Sequence, residues 1–373
     1  RPEDGRLAPL WLRGADPKIS LPPSFLRIDH DVAYILWPGE KGPSVECVGT
    51  DGATRWRTAP LDTLLPAEQD AAPVQTPQDG VVDALSPLFL FHQDRLVLVR
   101  RNGGAAGFDL ATGKSAWTRR LDVTGVYDAA AAGGRLVVLG EFEGPRQPRV
   151  VFHDLATGQP AAVLGDDKRT ISSPRWVRPY KDRIILGLTD SIAIIDPATA
   201  SSLWTISGAS TMNTRDCWMT PERAMVLGGD SRPWLFDPAA EPPKPIPLES
   251  AAGLADLRRR QGPDDVNTMI VAGPDRSIAV ITDHGMTCFD GSGSVMGTDA
   301  LRVGEGPFLT AVADRCAVFL QADSEADRDG RRALSLWIVE MPSARLIGEH
   351  TLSLFDPPTR LAVMDGKVVL SAG

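Results

Sequence analysis

Cysteine and aromatic residues are scarce in this sequence of 373 residues. There are four cysteines, far apart and with no CxxC pair, and aromatic residues make up 6% of the chain. This spacing argues against a disulfide-stabilised scaffold, which is typical of small chains dense in cysteine. Three of the four cysteines lie in apolar, strand-like runs, so we expect buried free thiols. The four are Cys47, Cys217, Cys288 and Cys316.

Positive charge and long hydrophobic runs are lacking as well. The chain has 39 Lys and Arg against 48 Asp and Glu, which gives a net charge of -9. Nucleic-acid binding needs a basic surface that neutralises phosphates, so we expect no nucleic-acid partner. No apolar run approaches the roughly 20 residues of a membrane helix, so we expect no membrane span.

The motifs of common active sites are missing too. The five histidines show no HxH or HExxH spacing, and there is no GxSxG, phosphate-loop or GxGxxG motif. His30, His153 and His284 each adjoin an Asp, but neighbours on a strand point to opposite faces. From these residues we predict no catalytic, cofactor-binding or metal-binding site.

What the sequence does contain is a repeated element, clearest at 107–121, GFDLATGKSAWTRRL. It combines the end of a strand with Asp109, a tight turn at Thr112 and Gly113, and a strand that carries Trp117. Repeats with a period of about 40–50 residues indicate a solenoid, a propeller or an array. Weaker copies occupy 46–56, 151–165, 193–208, 234–248, 287–297 and 336–350.

A second repeat pairs two short apolar segments across a polar turn that usually ends in Arg. Two apolar runs joined in this way indicate a β-hairpin. With the first repeat supplying two more strands, each unit becomes a four-stranded antiparallel blade, the building block of a β-propeller. The second strands of the hairpins begin near His30, Asp94, Gly134, Asp182, Glu222, Asp275, Asp314 and Gly366.

Eight hairpins predict one all-β domain over residues 1–373, an eight-bladed propeller, with seven blades as the alternative. The last hairpin, Leu361–Gly373, has no outer strands after it. The segment Leu7–Arg13 follows Asp4 and Gly5 and carries Trp11, as an outer element does. We therefore expect the two chain ends to share one blade and close the ring, because closure removes exposed strand edges.

The Asp, Thr-Gly turn and Trp resemble the quinoprotein-type propeller repeat. Asp109, Thr112, Gly113 and Trp117 match it fully, and the other copies match in part. The resemblance implies structural docking by Trp11, Trp56, Trp117 and Trp204. The family includes quinone-dependent dehydrogenases and a bacterial lipoprotein that helps to assemble outer-membrane β-barrels. It implies an extracytoplasmic location, while the unpaired cysteines favour the cytoplasm.

Two insertions interrupt the repeat, at 61–86 and 241–267. Both follow a fourth strand, so they and the loops between second and third strands gather on one face, where binding sites tend to lie. We expect the first insertion to be a surface loop that folding can spare. The second contains Arg258, Arg259 and Arg260, which could contact an acidic partner, and which are also typical of a solvated helix end.

The segment 325–330, EADRDG, resembles half of a calcium loop, since oxygen ligands alternate before a glycine. The candidate ligands are Glu325, Asp327 and Asp329, with Asp323 nearby. The twelfth position is Leu336 instead of Glu, so a solvated hairpin tip is the better interpretation.

These patterns favour a non-enzymatic scaffold that binds a protein partner through its loop-rich face, without a cofactor. A dehydrogenase of the resembled family would need adjacent cysteines around its quinone, and no two cysteines are adjacent here. Two alternatives remain open. One is an enzyme, either a quinoprotein-type dehydrogenase or a hydrolase with carboxylates on the axis. The other is a ligand-sensing or carbohydrate-binding ectodomain.

Overall fold

A computed structural model shows an all-β propeller built of small antiparallel sheets. It divides into two compact units, residues 1–57 with 248–373, and residues 58–247. Within the described residues, no helix is long and apolar enough to cross a membrane. The structure describes residues 24–29, 31–39, 42–65, 73–76, 80–82, 87–142, 148–164, 174–189, 191–207, 217–219, 223–227, 233–247, 269–272, 277–282, 285–290, 292–299, 308–313, 316–326, 332–341, 343–354, 358–364 and 367–372.

The first unit, residues 1–57 with 248–373, holds three four-stranded sheets and one hairpin among its described residues. The first sheet is β1(Ser24–Ile28), β2(Val32–Trp37), β3(Ser44–Gly49) and β4(Thr54–Arg57). The next is β23(Met269–Ala272), β24(Ile278–Thr282), β25(Gly285–Phe289) and β26(Val295–Asp299). The third is β27(Phe308–Ala313), β28(Cys316–Ala326), β29(Arg332–Glu340) and β30(Arg345–Leu354). The hairpin is β31(Pro358–Met364) and β32(Lys367–Ala372).

The second unit, residues 58–247, has four four-stranded sheets among its described residues. They are β7(Pro87–His92), β8(Arg95–Arg100), β9(Gly104–Asp109) and β10(Ser115–Arg120); β11(Gly125–Ala132), β12(Arg135–Glu141), β13(Arg149–Asp154) and β14(Pro160–Val163); β15(Trp176–Tyr180), β16(Arg183–Gly187), β17(Ser191–Asp196) and β18(Ser201–Ser207); and β19(Cys217–Met219), β20(Ala224–Leu227), β21(Pro233–Phe236) and β22(Ile246–Pro247). Ahead of them lie α1(Leu61–Leu64), β5(Val74–Thr76) and β6(Gly80–Val82).

Each four-stranded sheet follows the predicted order, with its strands in chain sequence and antiparallel. In the second unit, β11 packs beside both β7 and β15, and all three are the first strands of their sheets. In the first unit, β31 packs beside β27 and β1. First strands therefore form the inner layer of each unit, as the hairpin repeat predicted.

The predicted blade count and ring closure are not confirmed. The C-terminal hairpin β31–β32 pairs only with itself among the described residues, so an eighth four-stranded blade is not present there. The segment Leu7–Arg13, which was expected to complete it, lies outside the described residues. The seven-blade alternative also requires a closed ring, which is not established either.

The Asp of the first repeat organises the turn between third and fourth strands. One Asp109 carboxylate oxygen accepts hydrogen bonds from the Thr112 amide, at 2.9 Å, and the Thr112 hydroxyl, at 2.7 Å. The turn then needs a left-handed residue, which Gly113 supplies at φ 68°. Asp154 and Thr157 form the same turn, and Gly158 adopts φ 70°.

A β-bulge follows this turn in the fourth strand. In β10, Ser115 pairs with Phe108 and Trp117 pairs with Gly107, which leaves one extra residue between them. The same shift occurs in β4, β14, β18, β26 and β30. A bulge turns the strand and redirects its side chains. The repeated Trp position directly follows the bulge, which explains its fixed distance from the Asp.

Apolar side chains from adjacent sheets fill the space between them. In the second unit, Val137 and Phe152 of one sheet pack with Ile184 and Ala193 of the next. The buried free thiols of Cys47 and Cys288 confirm the expectation for these two residues, while Cys316 is partly buried. Burial raises the pKa of Cys288 to about 11, because it disfavours the charged thiolate.

Candidate functional site: the insertion face

The first insertion is partly built into the packing of the second unit. Leu61 of α1 is 1% exposed and Leu65 is buried beside it. In β5, Val74 and Thr76 are buried and Gln75 is exposed. The strand packs against β11, and Val74 belongs to a core cluster there. These parts of the insertion are therefore not a dispensable surface loop, contrary to the expectation from sequence.

Arginine holds the helix of the insertion in place. Arg100, at the end of β8, has a side chain that is 4% exposed. Its guanidinium donates to the Leu65 carbonyl oxygen and to the Asp62 carboxylate. Because a buried guanidinium needs partners for its charge and its donors, this pairing fixes α1 against the second sheet of the chain.

A second arginine ties this turn to the next sheet. Arg101 is buried and donates to the carbonyl oxygens of Val126, at 3.2 Å, and of Tyr127 in β11. The Val126 amide donates back to the Arg101 carbonyl oxygen at 2.7 Å. Beside it, the Tyr127 hydroxyl donates to Glu141. We call this end of the second unit the insertion face; it comprises α1, β5, Arg100–Gly103, Leu121–Tyr127 and Glu141.

A buried carboxylate bridges the inner strands β11 and β15. Asp128 accepts from the Val177 amide at 3.0 Å and from the Arg178 guanidinium at 2.8 Å. Its side chain is 14% exposed, and burial raises its pKa although Arg178 and the amides oppose that rise. Arg178 also lies over the buried ring of Trp176, 5.9 Å from its centroid. The arrangement links the two sheets.

Two histidines of the second unit, buried His153 and partly buried His92, favour the neutral form. Burial is the largest cause that lowers the pKa of His153 on β13, and the same holds for His92 at the end of β7. Both residues lie on strands, and among the described residues neither belongs to a group of three or more His, Cys, Asp or Glu that could hold a metal ion. We therefore assign them to packing.

The docking tryptophans occupy different surroundings. Trp117 is 9% exposed, and its indole Nε1 donates to the Leu155 carbonyl oxygen of the next sheet at 3.0 Å. The ring covers Gly107 in its own sheet and Gly158 in the neighbouring turn, where an added Cβ would lie 2.8 Å from it. The structure thus places Trp117 across the junction of two sheets.

Trp56 and Trp204 differ from Trp117. Trp56 is 9% exposed and lies against Tyr34 of its own sheet, with 5.8 Å between ring centroids. Trp204 is 38% exposed and therefore lacks the burial that docking requires. The turn of the next sheet has Glu241, not Gly, four residues after Asp237, the distance that separates Gly158 from Asp154. Trp11 lies outside the described residues.

The remaining predicted site residues are not brought together. Arg258, Arg259 and Arg260 lie outside the described residues, as do Asp327 and Asp329. Asp323 and Glu325 lie in β28, whose last pair with β29 is Ala326 with Arg332. Across the part of the chain that the structure describes, no cluster of three or more His, Cys, Asp or Glu residues could hold a metal ion.

Sequence reasoning missed Arg100, Arg101 and Asp128. Arg100 and Arg101 directly follow the apolar run of a predicted strand, and Asp128 stands beside a run of alanines. Such a residue is costly to bury unless it is paired. That signal could have marked these positions as buried and partnered, although the partners themselves come from other sheets.

Comparison with solved structures shows the same fold over nearly the whole chain. BamB from Moraxella catarrhalis is 13% identical, with a TM-score of 0.52, over 94% of this chain and 94% of that one. Apo AztD from Citrobacter koseri is 12% identical, with a TM-score of 0.55, over 94% and 90%. The computationally designed Ika8 protein is 11% identical, with a TM-score of 0.55, over 93% and 95%. At these identities the likeness shows the fold alone.

No family model matches the chain, and no curated protein matches it by sequence. The similarity to a BamB structure agrees with the propeller resemblance read from the Asp, Thr-Gly and Trp repeat. Membership of one particular family is not shown.

Proposed function

We propose that this protein is a non-enzymatic β-propeller scaffold that binds another protein through its insertion face. The observation that supports the proposal is that the first insertion is packed against the second unit. Leu61 and Val74 are buried, while Thr63 and Gln75 next to them are exposed. Exposed side chains on a rigid support pay little entropy when a partner orders them, and loops held on a scaffold commonly carry binding sites.

The chemistry of the face supports binding over catalysis. The charged and polar side chains that hold the face together are paired with one another or with the backbone: Arg100 with Asp62, Arg101 with carbonyl groups of β11, and Tyr127 with Glu141. Groups paired in this way stabilise the face, which suits a binding surface better than a catalytic one. The fold shared with BamB is compatible with a scaffold, and a protein partner is part of the proposal.

Site-specific photo-crosslinking tests the proposal. A photoreactive residue at Gln75 or Thr63 is expected to capture one partner protein, identified by mass spectrometry, and the purified partner should bind in a saturable manner. The matched control is Lys114, which is exposed at the opposite ends of the strands in the same unit. Capture of the partner from Lys114 but not from Gln75 or Thr63 rules out the insertion face as the binding surface.

A binding assay with the purified partner adds the energetic test. Thr63→Arg together with Gln75→Arg should weaken binding at least tenfold, because bulky charges then occupy the interface. Lys114→Glu should leave the affinity unchanged. Equal affinity for the wild type and the double variant contradicts the proposal.

A further inference from the structure

The strand β18 in the second unit has an open outer edge. It comes last in the order β15-β16-β17-β18 and pairs with β17. Among the described residues, no further strand pairs with its other edge. Its side chains are exposed except for that of Ile206. A strand edge presents unpaired N–H and C=O groups, which form a template for an added strand.

The other fourth strands of the four-stranded sheets are protected against such addition. Proteins block exposed edges with charged side chains, with proline or by keeping the edge strand short. The strand β14 begins with Pro160, and β22 has two residues. The remaining fourth strands, β4, β10, β26 and β30, carry charged residues: Arg55, Arg57, Arg119, Arg120, Asp299, Arg345 and Glu349.

None of these features occurs in β18. Its seven residues, SSLWTIS, include no charged residue and no proline. Leu203 is 39% exposed and Trp204 is 38% exposed. Beyond the bulge, Trp204 to Ser207 pair regularly with β17, so this part of the edge is straight. A long, uncharged and apolar edge of this kind favours pairing with another strand.

The lack of charge on β18 indicates which strand fits there. In a pairing about a two-fold axis, residues near the axis lie opposite their own copies. A charged strand therefore repels its copy, because like charges opposite each other destabilise a sheet. The uncharged β18 avoids this repulsion, and it offers no charge that would attract a strand of another protein. A second copy of β18 is thus the occupant that suits the edge.

We propose that two copies of this protein associate by antiparallel pairing of β18 with β18, which joins two sheets into one. The two-fold axis passes through Thr205, so Thr205 lies opposite its own copy. Trp204 of each copy then lies opposite Ile206 of the other, on the same face of the sheet, since side chains alternate. Pairs of threonines and pairs of an aromatic with a β-branched residue stabilise antiparallel strands.

Sedimentation velocity tests the association. The wild-type chain should form a reversible dimer over a concentration range that reaches about 100 μM, since small interfaces give weak complexes. Thr205→Lys should weaken the dimer at least tenfold, because two ammonium groups then meet at the axis. The matched control is Thr118→Lys, since Thr118 is exposed in β10 and directly follows Trp117 as Thr205 follows Trp204. The control should dimerise as the wild type does.

A mixture of charge variants tests the position of the axis. Thr205→Lys and Thr205→Glu should each be mainly monomeric, because each places like charges opposite each other. An equal mixture of the two should associate, since opposite charges then face each other. Both variants should melt close to the wild-type temperature, because Thr205 is exposed. Failure of the mixture to associate better than either variant alone refutes the pairing at Thr205.

Disulfide trapping gives a direct readout of the same contact. Residues opposite each other on antiparallel strands have Cα atoms about 4.5–5.5 Å apart, within the range that a disulfide spans. Mild oxidation of Thr205→Cys should therefore link two copies of the peptide that contains residue 205, as identified by mass spectrometry. Thr118→Cys is the control and should link much more slowly. Equal rates for the two variants would show random collision instead of a specific pairing.

Three results of the sedimentation experiment overturn the proposal. The first is a wild-type chain that stays monomeric at every concentration, which would leave the edge of β18 to a strand of another protein or to solvent. The second is a dimer of unchanged affinity in Thr205→Lys, which would place the interface elsewhere. The third is an equal loss of affinity in Thr118→Lys, which would show that added charge anywhere on the surface suppresses association.

Discussion

Single residues fix the junction between two sheets of the second unit. Trp117 fills space that two glycines leave open, and its indole N–H satisfies a carbonyl oxygen in the neighbouring turn. The repeat at Asp109–Trp117 therefore determines how two sheets pack together as well as how the turn forms. In the next sheet Glu241 stands four residues after the turn Asp in place of a glycine, and Trp204 is exposed.

Trp117→Ala should lower the free energy of unfolding by about 3–5 kcal/mol, as expected for removal of a large buried ring. Trp204→Ala is the control, since 38% exposure predicts a change within about 0.5 kcal/mol. Urea denaturation of both variants measures the difference. Equal losses would contradict the assignment of Trp117 to the junction.

A comparison of Gly158→Ala with Gly134→Ala separates the effect of the contact with Trp117 from the effect of the left-handed backbone conformation. Gly158 and Gly134 adopt φ of 70° and 71°, so alanine costs about 1–2 kcal/mol of strain at either site. At Gly158 the new Cβ would also lie 2.8 Å from the Trp117 ring, whereas nothing lies within 4 Å at Gly134. Gly158→Ala should therefore be clearly more destabilising in thermal unfolding. A cost no larger than that of Gly134→Ala refutes the contact.

At the scale of elements, buried charges join strands that are distant in sequence. Asp128 links β11 to β15, and Arg100 links β8 to α1. These links connect the inner strands to one another and the insertion to its sheet. The pKa of Asp128 is also shifted in the opposite direction from that of the turn carboxylate Asp109.

The sign of the pH response should distinguish Asp128 from Asp109. Burial raises the pKa of Asp128, so its stabilising contribution is present at low pH and is lost as pH rises through the folded-state pKa. Hydrogen bonds from Thr112 lower the pKa of Asp109, so its contribution is present above the unfolded pKa and is lost as pH falls through the folded-state pKa.

Asp128→Asn and Asp109→Asn should therefore change the pH dependence in opposite directions. Relative to wild type, the Asp128→Asn protein should gain stability as pH rises above about 4, the unfolded pKa of Asp. The Asp109→Asn protein should lose stability relative to wild type as pH rises from the folded-state pKa of Asp109 to its unfolded pKa of about 4. Melting temperatures from pH 3 to 7 measure both. If the difference in melting temperature from wild type changes with pH in the same direction for both variants, the surroundings described for Asp128 or for Asp109 are wrong.

The first insertion is expected to contribute to the stability of the second unit. Leu61→Ala should cost about 2–5 kcal/mol, because the side chain is 1% exposed. Leu203→Ala, at 39% exposure, is the control and should change stability little. If chemical denaturation gives the same small loss for both, the helix of the insertion is not packed as described.

At the scale of the whole molecule, two thiols, those of Cys47 and Cys288, belong to the interior of the first unit. Cys47 is 2% exposed and Cys288 is 1% exposed, and burial raises the pKa of both. Because the thiolate is the reactive form, neither should react with an alkylating reagent at pH 7–8 in the native protein. Both should react in denaturant. Peptide mapping checks this, and rapid native labelling of Cys288 would contradict its burial.

The sequence by itself determined the all-β architecture, the four-stranded repeat and the place of each outer turn. These follow from local physics: alternating apolar residues make strands, and an Asp with a Thr or Ser two or three residues later closes a turn around a left-handed residue. The signals are short in range, so they can be read one segment at a time.

The tertiary structure decided which sheets carry a docking Trp, how the insertion packs, and which charges are buried. Asp128 and Arg178 lie 50 residues apart, and Asp62 and Arg100 lie 38 apart, so no local pattern pairs them. Whether a charged residue is buried or solvated depends on the neighbouring sheet that covers it. That neighbour is brought there by the packing of the sheets, which the spacing of a single repeat does not encode.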